Sequence, residues 1–192
     1  AFGVVDLDDE SRVRRVVEKP PPGEEPSNLI NAGTYVLERS VVDRIPGGRK
    51  VSIERETFPA IAADGRLYAM PKVAYWLDTG RPELFVQANL DVLDGLSRVP
   101  CPAPVAAGAS IAAGAVLDRS VVAADVVVGD RARVVCSVLL DGARIGGGAE
   151  LIDSVVLGEV GDGARLERCV IGAAASIPAG ASLTDQRVPA PE

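Results

Sequence analysis

A six-residue repeat fills the second half of the chain and constrains the fold more than any other feature. Between residues 105 and 183, an aliphatic residue recurs about every six positions and is followed by small or turn-forming residues. Six residues with one aliphatic position have the length of one short strand plus a turn. A longer period lies over this one, because Val121, Val138, Val155 and Val170 are spaced by 17, 17 and 15 residues.

Three such units per circuit predict a triangular coil in which aliphatic residues point inward and small residues occupy the corners. Residues 105–183 are long enough for about four to five coils, each rising about 4.8 Å on the one below. The repeat therefore predicts a parallel β-helix. The run Gly146-Gly147-Gly148 falls inside the repeat, so we interpret it as a corner and not as a phosphate-binding loop.

The chain has three cysteines, Cys101, Cys136 and Cys169. Their number is odd and their spacing is unlike that of metal-binding pairs. Cys169 falls in the repeat position of Ser120, Ser137 and Ser154, whereas Cys136 lies one position earlier in its coil. Stacked coils would place Cys136 and Cys169 about 9–10 Å apart, too far for a disulfide. We interpret the cysteines as structural thiols.

A proline-rich connector marks a change of composition. Prolines alternate with other residues from Pro100 to Pro104, a pattern that interrupts helices and strands. We therefore divide the chain into a first domain at residues 1–98, a linker at 99–104, the β-helix at 105–183 and a C-terminal tail at 184–192.

The first domain mixes strand and helix patterns and is predicted to be α/β. Strands are predicted around residues 2–7 and 12–18, at the end of 28–37, and at 67–76. Helices are predicted at residues 40–45, 52–63 and 82–94. The second helix is predicted to be capped by Ser52, with an acidic first turn, and the third to begin at Pro82.

The chain contains no histidine, which excludes histidine general bases and nucleophiles activated by histidine. Hexapeptide acyltransferases share the β-helix but resemble one another in using a histidine base, so this class of enzyme is disfavoured. Chemistry in this chain must rely on carboxylates, lysine, arginine or hydroxyls.

Charge and hydropathy exclude two kinds of partner. The formal net charge is −7, and acidic residues outnumber basic ones on both sides of residue 100, so we expect no nucleic-acid partner. The sequence has no uninterrupted apolar run of about 18 residues and no signal-peptide pattern. We therefore expect no membrane partner and a cytoplasmic location.

Three short segments place polar residues at the ends of predicted strands. Lys19, between Glu18 and a proline, is one of three lysines among 20 basic residues, and its compact ammonium suits a phosphate; the alternative is a solvated surface lysine. Asn31 precedes Ala32 and Gly33, residues small enough for close approach of a sugar; the alternative is a turn. Asp78 ends an aromatic strand and can hold Mg²⁺ beside a phosphate; the alternative is a loop or helix cap.

Taken in this order, these segments resemble the C-terminal half of proteins of the sugar-1-phosphate nucleotidylyltransferase family. Within that family they resemble the mannose-1-phosphate guanylyltransferases. The motifs that carry the resemblance are VEKP at 17–20, NLINAGTYVL at 28–37, SIERETFP at 52–59 and YWLDTGRP at 75–82. It covers essentially residues 1–183. The resemblance implies an α/β fold, the C-terminal half of a Rossmann-like nucleotidyltransferase domain, followed by an all-β left-handed parallel β-helix.

The resemblance also implies a reaction in which the oxygen of mannose 1-phosphate attacks the α-phosphate of GTP, with Mg²⁺ as cofactor, giving GDP-mannose and pyrophosphate. It places Glu18 on the sugar hydroxyls and Lys19 on the sugar phosphate. It places Asn31 and the Gly33 backbone against the sugar, and Asp78 on the metal. It assigns no residue of this half a direct catalytic role. Such chemistry needs positioning and charge neutralisation and no protein nucleophile.

One departure from the family is the lack of a glycine-rich loop with its catalytic arginine and lysine. We therefore expect a nucleotide-binding half of roughly 150 residues to be missing from this chain, which alone should be inactive. Arg81, beside the metal ligand, is a minor departure. The alternatives are a regulatory subunit that senses nucleotide sugars, or a transferase for glucose 1-phosphate. The β-helix is expected to make homo-oligomers, since open coil edges favour association.

Overall fold

The structure is a computed structural model that describes residues 2–72, 74–100 and 103–189. The chain divides into two compact units, residues 1–74 and residues 75–192. Each unit is considered by itself below. No helix in the described ranges combines the length and the apolar character that crossing a membrane requires.

The first unit is built on an antiparallel pair of strands, β1 (Gly3–Leu7) and β2 (Val13–Glu18). An acidic turn joins them. Asp8 Oδ1 accepts hydrogen bonds from the backbone N–H groups of Arg12 and Glu10, both at 2.9 Å. The hydrogen bond from Arg12 is the main reason that the pKa of Asp8 lies below its usual value.

Two further segments border this pair but are less regular than predicted. Ile30 pairs with Val4 in a single antiparallel bridge, and Tyr68 pairs in the same way with Arg12. Residues 34–37 and the described part of 67–76 were predicted as strands and form none. Val36 is fully exposed. A strand needs the backbone of a neighbour, and no described strand lies alongside residues 34–37.

Helices close one side of the first unit. A 3₁₀ helix spans Arg39–Arg44, and a π-helical turn at Ile53–Thr57 leads into α1 (Phe58–Ala63). Both predicted helices are thus present within one residue of their predicted bounds. Phe58 and Ile61 are buried with Val4 and Val13. Ser52 makes no side-chain cap of the helix, because its hydroxyl donates to Glu54 Oε2 at 3.1 Å.

The second unit begins with a loop and helix α2 (Pro82–Leu93) and continues as a β-helix, which confirms the predicted fold class. The β-helix has five coils of three strands each. The strands, coil by coil, are β3 (Ser110–Ile111), β4 (Val116–Asp118), β5 (Val121–Val122); β6 (Val127–Val128), β7 (Arg133–Val135), β8 (Val138–Leu139); β9 (Arg144–Ile145), β10 (Glu150–Ile152), β11 (Val155–Val156); β12 (Glu159–Val160), β13 (Arg165–Glu167), β14 (Val170–Ile171); β15 (Ser176–Ile177), β16 (Ser182–Thr184) and β17 (Arg187–Val188).

Equivalent strands of successive coils pair in parallel and form three five-stranded sheets. The register keeps like residues in columns, so that Val134 pairs with Leu151 and Leu151 with Leu166. These three side chains are almost completely buried. At the corner that contains Gly146, an added Cβ would lie 2.5 Å from the backbone nitrogen of Asp162. Glycine is therefore required there, which confirms that the glycine run is a corner.

A second corner carries a ladder of buried serines. The hydroxyl of Ser120 accepts a hydrogen bond from the backbone N–H of Ser137, and Ser137 accepts one from Ser154 in the same way. Ser154 then accepts the backbone N–H of Cys169 at 3.0 Å. All four residues are buried, so the ladder satisfies backbone donors that no water reaches.

The cysteine prediction holds where the structure describes it. Cys169 occupies the serine column, and Cys136 precedes it by one position in its own coil. Both are free thiols, Cys169 buried and Cys136 half-buried. Cys101 lies outside the described residues.

Helix α2 packs on the outer face of the β-helix. Val86 and Leu90 are buried against Val138 and Val155. This contact groups α2 with the β-helix, so the units divide at residue 74 and not at the connector at 99–104. The predicted tail at 184–192 is also shorter in the structure, because Arg187–Val188 forms strand β17 and pairs with β14.

The serine ladder gives the first testable prediction. Ser137→Ala leaves the buried N–H of Ser154 without its acceptor, and the free energy of unfolding should fall by about 2 kcal/mol. Denaturant unfolding followed by circular dichroism measures this. Ser182→Ala, at an exposed position of β16, is the matched control and should leave stability unchanged. An equal effect of both substitutions would contradict the role of the ladder.

Candidate sugar-phosphate site

Glu18 ends strand β2 and crosses over the start of β1. Gly3 is paired with Glu18 in the register of the two strands. A Cβ added to Gly3 would lie 2.6 Å from Glu18 Oε2 and 3.5 Å from the Cβ of Asn31. A residue with a side chain at position 3 would therefore displace the Glu18 carboxylate. The glycine leaves room for Glu18 and Asn31 on the same side of β1.

Asn31 is held by its backbone and by both ends of its amide. Its backbone N–H donates to the carbonyl of Gly3 at 2.8 Å. Its Oδ1 accepts the N–H of Gly33 at 3.0 Å, and its Nδ2 donates to the hydroxyl of Tyr35 at 2.7 Å. Gly33 has a positive φ of 73°, which favours glycine. These bonds leave one amide hydrogen and one oxygen lone pair of Asn31 for a ligand.

Tyr35 links Asn31 to a second carboxylate. Its hydroxyl donates to Glu54 Oε1 at 3.3 Å, and its ring meets Phe58 edge-on with a centroid distance of 4.8 Å. Burial raises the pKa of the Tyr35 phenol above its ordinary value of 10.0. The hydrogen bond from Asn31 lowers it, whereas the charges of Glu54 and Glu18 raise it. Tyr35 therefore stays a protonated donor at neutral pH.

Lys19 lies next to this group in sequence. It has a positive φ of 55° and its side chain is exposed, whereas Pro20 is buried. The left-handed backbone ends β2 at Glu18 and turns the chain away from the strand. The exposed position of the Lys19 ammonium agrees with both interpretations given above, a lysine that binds a phosphate and a solvated surface lysine.

Asp78 belongs to the second unit, in the loop before α2. Its Oδ1 accepts the N–H of Gly80 at 2.9 Å, so the loop-capping alternative describes its observed contact. Tyr75, at the start of the loop, donates its hydroxyl to Asp91 Oδ2 at 2.8 Å. Gln87 donates to Asp91 Oδ1 at 2.6 Å. The loop is thereby fastened to α2.

The structure therefore gathers three of the five predicted site residues, Glu18, Asn31 and Gly33, into one cluster in the first unit. Lys19 adjoins the cluster in sequence, and Asp78 lies in the other unit. Within the described ranges, no group of three or more His, Cys, Asp or Glu side chains is arranged to hold a metal ion. A carboxylate such as Asp78 nevertheless fits Mg²⁺, which takes one or two carboxylates and completes its shell with phosphates and water.

Sequence reasoning missed Tyr35, Glu54 and Asp91 as functional candidates. Tyr35 and Glu54 lie inside two of the motifs that carry the family resemblance, four residues after Asn31 and two after Ser52. Their contact spans 19 residues, and no local pattern signals it. Asp91 lies on a helix face, where an acidic residue is ordinarily solvated.

Comparisons with known proteins agree with this layout. Residues 1–95 match the family model of nucleotidyl transferases, and residues 101–158 match that of the GlmU-like C-terminal hexapeptide domain. A mannose-1-phosphate guanylyltransferase of Mycobacterium tuberculosis (strain ATCC 25618 / H37Rv) is 42% identical in an alignment that covers 77% of this chain and 43% of the relative.

Two plant proteins are similar over shorter stretches. The probable mannose-1-phosphate guanylyltransferase 1 of Oryza sativa subsp. japonica is 44% identical over 57% of this chain and 30% of its own length. The mannose-1-phosphate guanylyltransferase 1 of Arabidopsis thaliana is 40% identical over 62% of this chain and 32% of its own length. The chain thus spans less than half the length of these relatives.

The tyrosine network gives the second prediction. Glu54→Gln removes the negative charge that disfavours the phenolate, so the pKa of Tyr35 should fall from its raised value toward 10. Titration of ¹³C-labelled tyrosine by NMR measures this. Glu24→Gln, an exposed carboxylate in a loop, is the control and should not move the Tyr35 titration. If Glu54→Gln also leaves it unmoved, the contact with Glu54 is absent in solution.

Proposed function

Because the chain belongs to the nucleotidyl transferase family, we propose that it forms part of an enzyme that makes GDP-mannose and pyrophosphate from GTP and mannose 1-phosphate. The names of the similar guanylyltransferases support the choice of substrates. The observation that carries the proposal for this chain is the cluster of Glu18, Asn31 and Gly33, in which Tyr35 orients the amide of Asn31. It offers a carboxylate and an oriented amide on one side of β1, as a sugar with neighbouring hydroxyls requires.

In the proposed reaction a phosphate oxygen of mannose 1-phosphate attacks the α-phosphorus of GTP. A new P–O bond forms as the bond between the α- and β-phosphates breaks, and pyrophosphate leaves with the electron pair. The step needs in-line placement of the two substrates and neutralisation of phosphate charge. A chain without histidine can support such chemistry.

Each predicted residue has a distinct role in this proposal. The Glu18 carboxylate accepts hydrogen bonds from sugar hydroxyls. The remaining amide hydrogen and lone pair of Asn31 donate to one hydroxyl and accept from another. Since the N–H of Gly33 is already committed to Asn31, the carbonyl of Gly33 is the backbone group left for the sugar. Lys19 neutralises the sugar phosphate as a compact cation.

Asp78 is the proposed ligand for Mg²⁺. When bound, Mg²⁺ would neutralise phosphate charge and help to align the two substrates. The chain contains no glycine-rich phosphate loop, so we assign the contacts with the nucleotide to another part of the complete protein. The β-helix is proposed to mediate self-association, since the first and last coils leave strand edges unpaired within the described residues.

The test of this proposal is a kinetic comparison in the complete protein. Lys19→Ala should raise the KM for mannose 1-phosphate by about tenfold or more, because a charge-assisted contact is lost, and should leave the KM for GTP unchanged. Asp78→Asn should lower kcat by about a hundredfold or more. Lys72→Ala, which removes an exposed lysine outside the cluster, is the matched control and should behave as wild type.

Steady-state assays with GTP, mannose 1-phosphate and Mg²⁺, in which the release of pyrophosphate is detected, measure these constants. Binding of GDP-mannose without turnover by the wild-type protein would favour a regulatory subunit and contradict the proposal. Turnover with glucose 1-phosphate but not mannose 1-phosphate would overturn the choice of sugar.

A further inference from the structure

We propose that the β-helix holds the loop of Asp78 in place through helix α2, with Asp91 as the positioning residue between them. The role of Asp78 rests on the proposed function, whereas the chain of contacts does not. All of these groups belong to one compact unit, residues 75–192. The β-helix then supports a site residue in addition to any part in assembly.

The first link joins the loop to the helix. Asp91 is 8% exposed, and its carboxylate accepts hydrogen bonds from Tyr75 at 2.8 Å and Gln87 at 2.6 Å. The bond from Gln87 comes from one turn earlier in the same helix and fixes the rotamer of Asp91. The bond from Tyr75 crosses from the loop. A buried carboxylate is costly without hydrogen-bond donors. The burial of Asp91 therefore favours the hydrogen bond from Tyr75.

The second link joins the helix to the β-helix. Val86 and Leu90 lie on the same helix as Asp91 and are buried against Val138 and Val155 of two successive coils. At the end of α2, Asp94 forms an ion pair with Arg119 at a coil corner. The helix is thus fixed to the solenoid by its apolar face and by its last turn, and the position of Asp91 is set by the coils.

The third link is the loop itself. It is fixed at its start by Tyr75 and at its end by α2, which begins at Pro82. Asp78 lies between these points, and its own carboxylate is oriented by the N–H of Gly80. With both ends held, few backbone conformations remain for Asp78. Loss of the hydrogen bond from Tyr75 would increase the number of conformations open to the segment that carries Asp78.

A probe for this loop already exists in the chain. Trp76 is the only tryptophan in the sequence and follows Tyr75 directly, so intrinsic fluorescence reports on the loop without a label. In the complete protein, extra tryptophans can be replaced by phenylalanine so that Trp76 remains the single emitter.

The experiment measures acrylamide quenching and anisotropy of Trp76 in variants of the first two links, beginning with the bond between Tyr75 and Asp91. Tyr75→Phe and Asp91→Ala should each raise the quenching constant by about twofold and lower the anisotropy, as expected for a loop released from its contact. The double variant should add little to either single one, since both remove the same bond. Tyr68→Phe, in the other unit, is the control for loss of a tyrosine hydroxyl and should have no effect.

A second pair of variants tests the contribution of the solenoid. Val155→Ala and Val134→Ala both remove buried methyl groups from the β-helix, but only Val155 contacts α2. Val155→Ala should raise the quenching of Trp76, and Val134→Ala should not. Equal quenching in the two variants, or wild-type quenching in Tyr75→Phe and Asp91→Ala, would overturn the proposal.

A kinetic measurement separates this inference from the proposed function. Asp91→Ala should raise the Mg²⁺ concentration for half-maximal turnover by about tenfold, the scale seen when a group that orients a metal ligand is lost, with the KM for mannose 1-phosphate unchanged. An unchanged Mg²⁺ requirement, despite increased quenching of Trp76, would overturn the positioning role. Absence of any turnover in the complete wild-type protein would overturn the proposed function. The fluorescence results would still show whether the β-helix holds the loop of Asp78 through α2.

Discussion

The backbone hydrogen bonds between successive coils are the constraint on which the second unit depends. Each coil depends on pairing in register with the coils next to it, because its short strands cannot form a sheet alone. That register stacks aliphatic residues in columns and requires glycine where corners approach most closely, as at Gly146. It also produces the uniform outer face on which α2 packs. The placement of the loop before α2 therefore follows from the coil register.

Much of the second unit could be predicted because its pattern is periodic. The columns of Val121 and Ser120 are visible as repeats in the sequence, and the structure confirms them. The packing of α2 was not visible, because its apolar face meets residues far away in sequence, such as Val138. The extent of the last coil was also missed, since Arg187 occupies a position held by valine in the other coils.

The first unit shows where local patterns stop being informative. Strand β2 and the helices follow from alternation and from turn residues. Residues 34–37 carry a strand-like sequence but have no described neighbour to pair with, and strand propensity alone does not build a sheet. The motif residues Glu18 and Asn31 could be proposed from sequence as site candidates, whereas the links through Tyr35 to Glu54 depend on tertiary contacts.

The serine ladder has a direction, and this sets how the solenoid can change in length. Each serine hydroxyl accepts a backbone N–H from the coil that follows it, and the last donor, Cys169, itself presents a sulfur that is a weak acceptor. A whole coil bearing serine at this corner can be inserted between Ser137 and Ser154 with every buried donor still satisfied. The fifth coil already stacks on the coil of Cys169 without a serine at this corner. The ladder therefore marks the part of the solenoid into which whole coils fit without loss of a buried hydrogen bond.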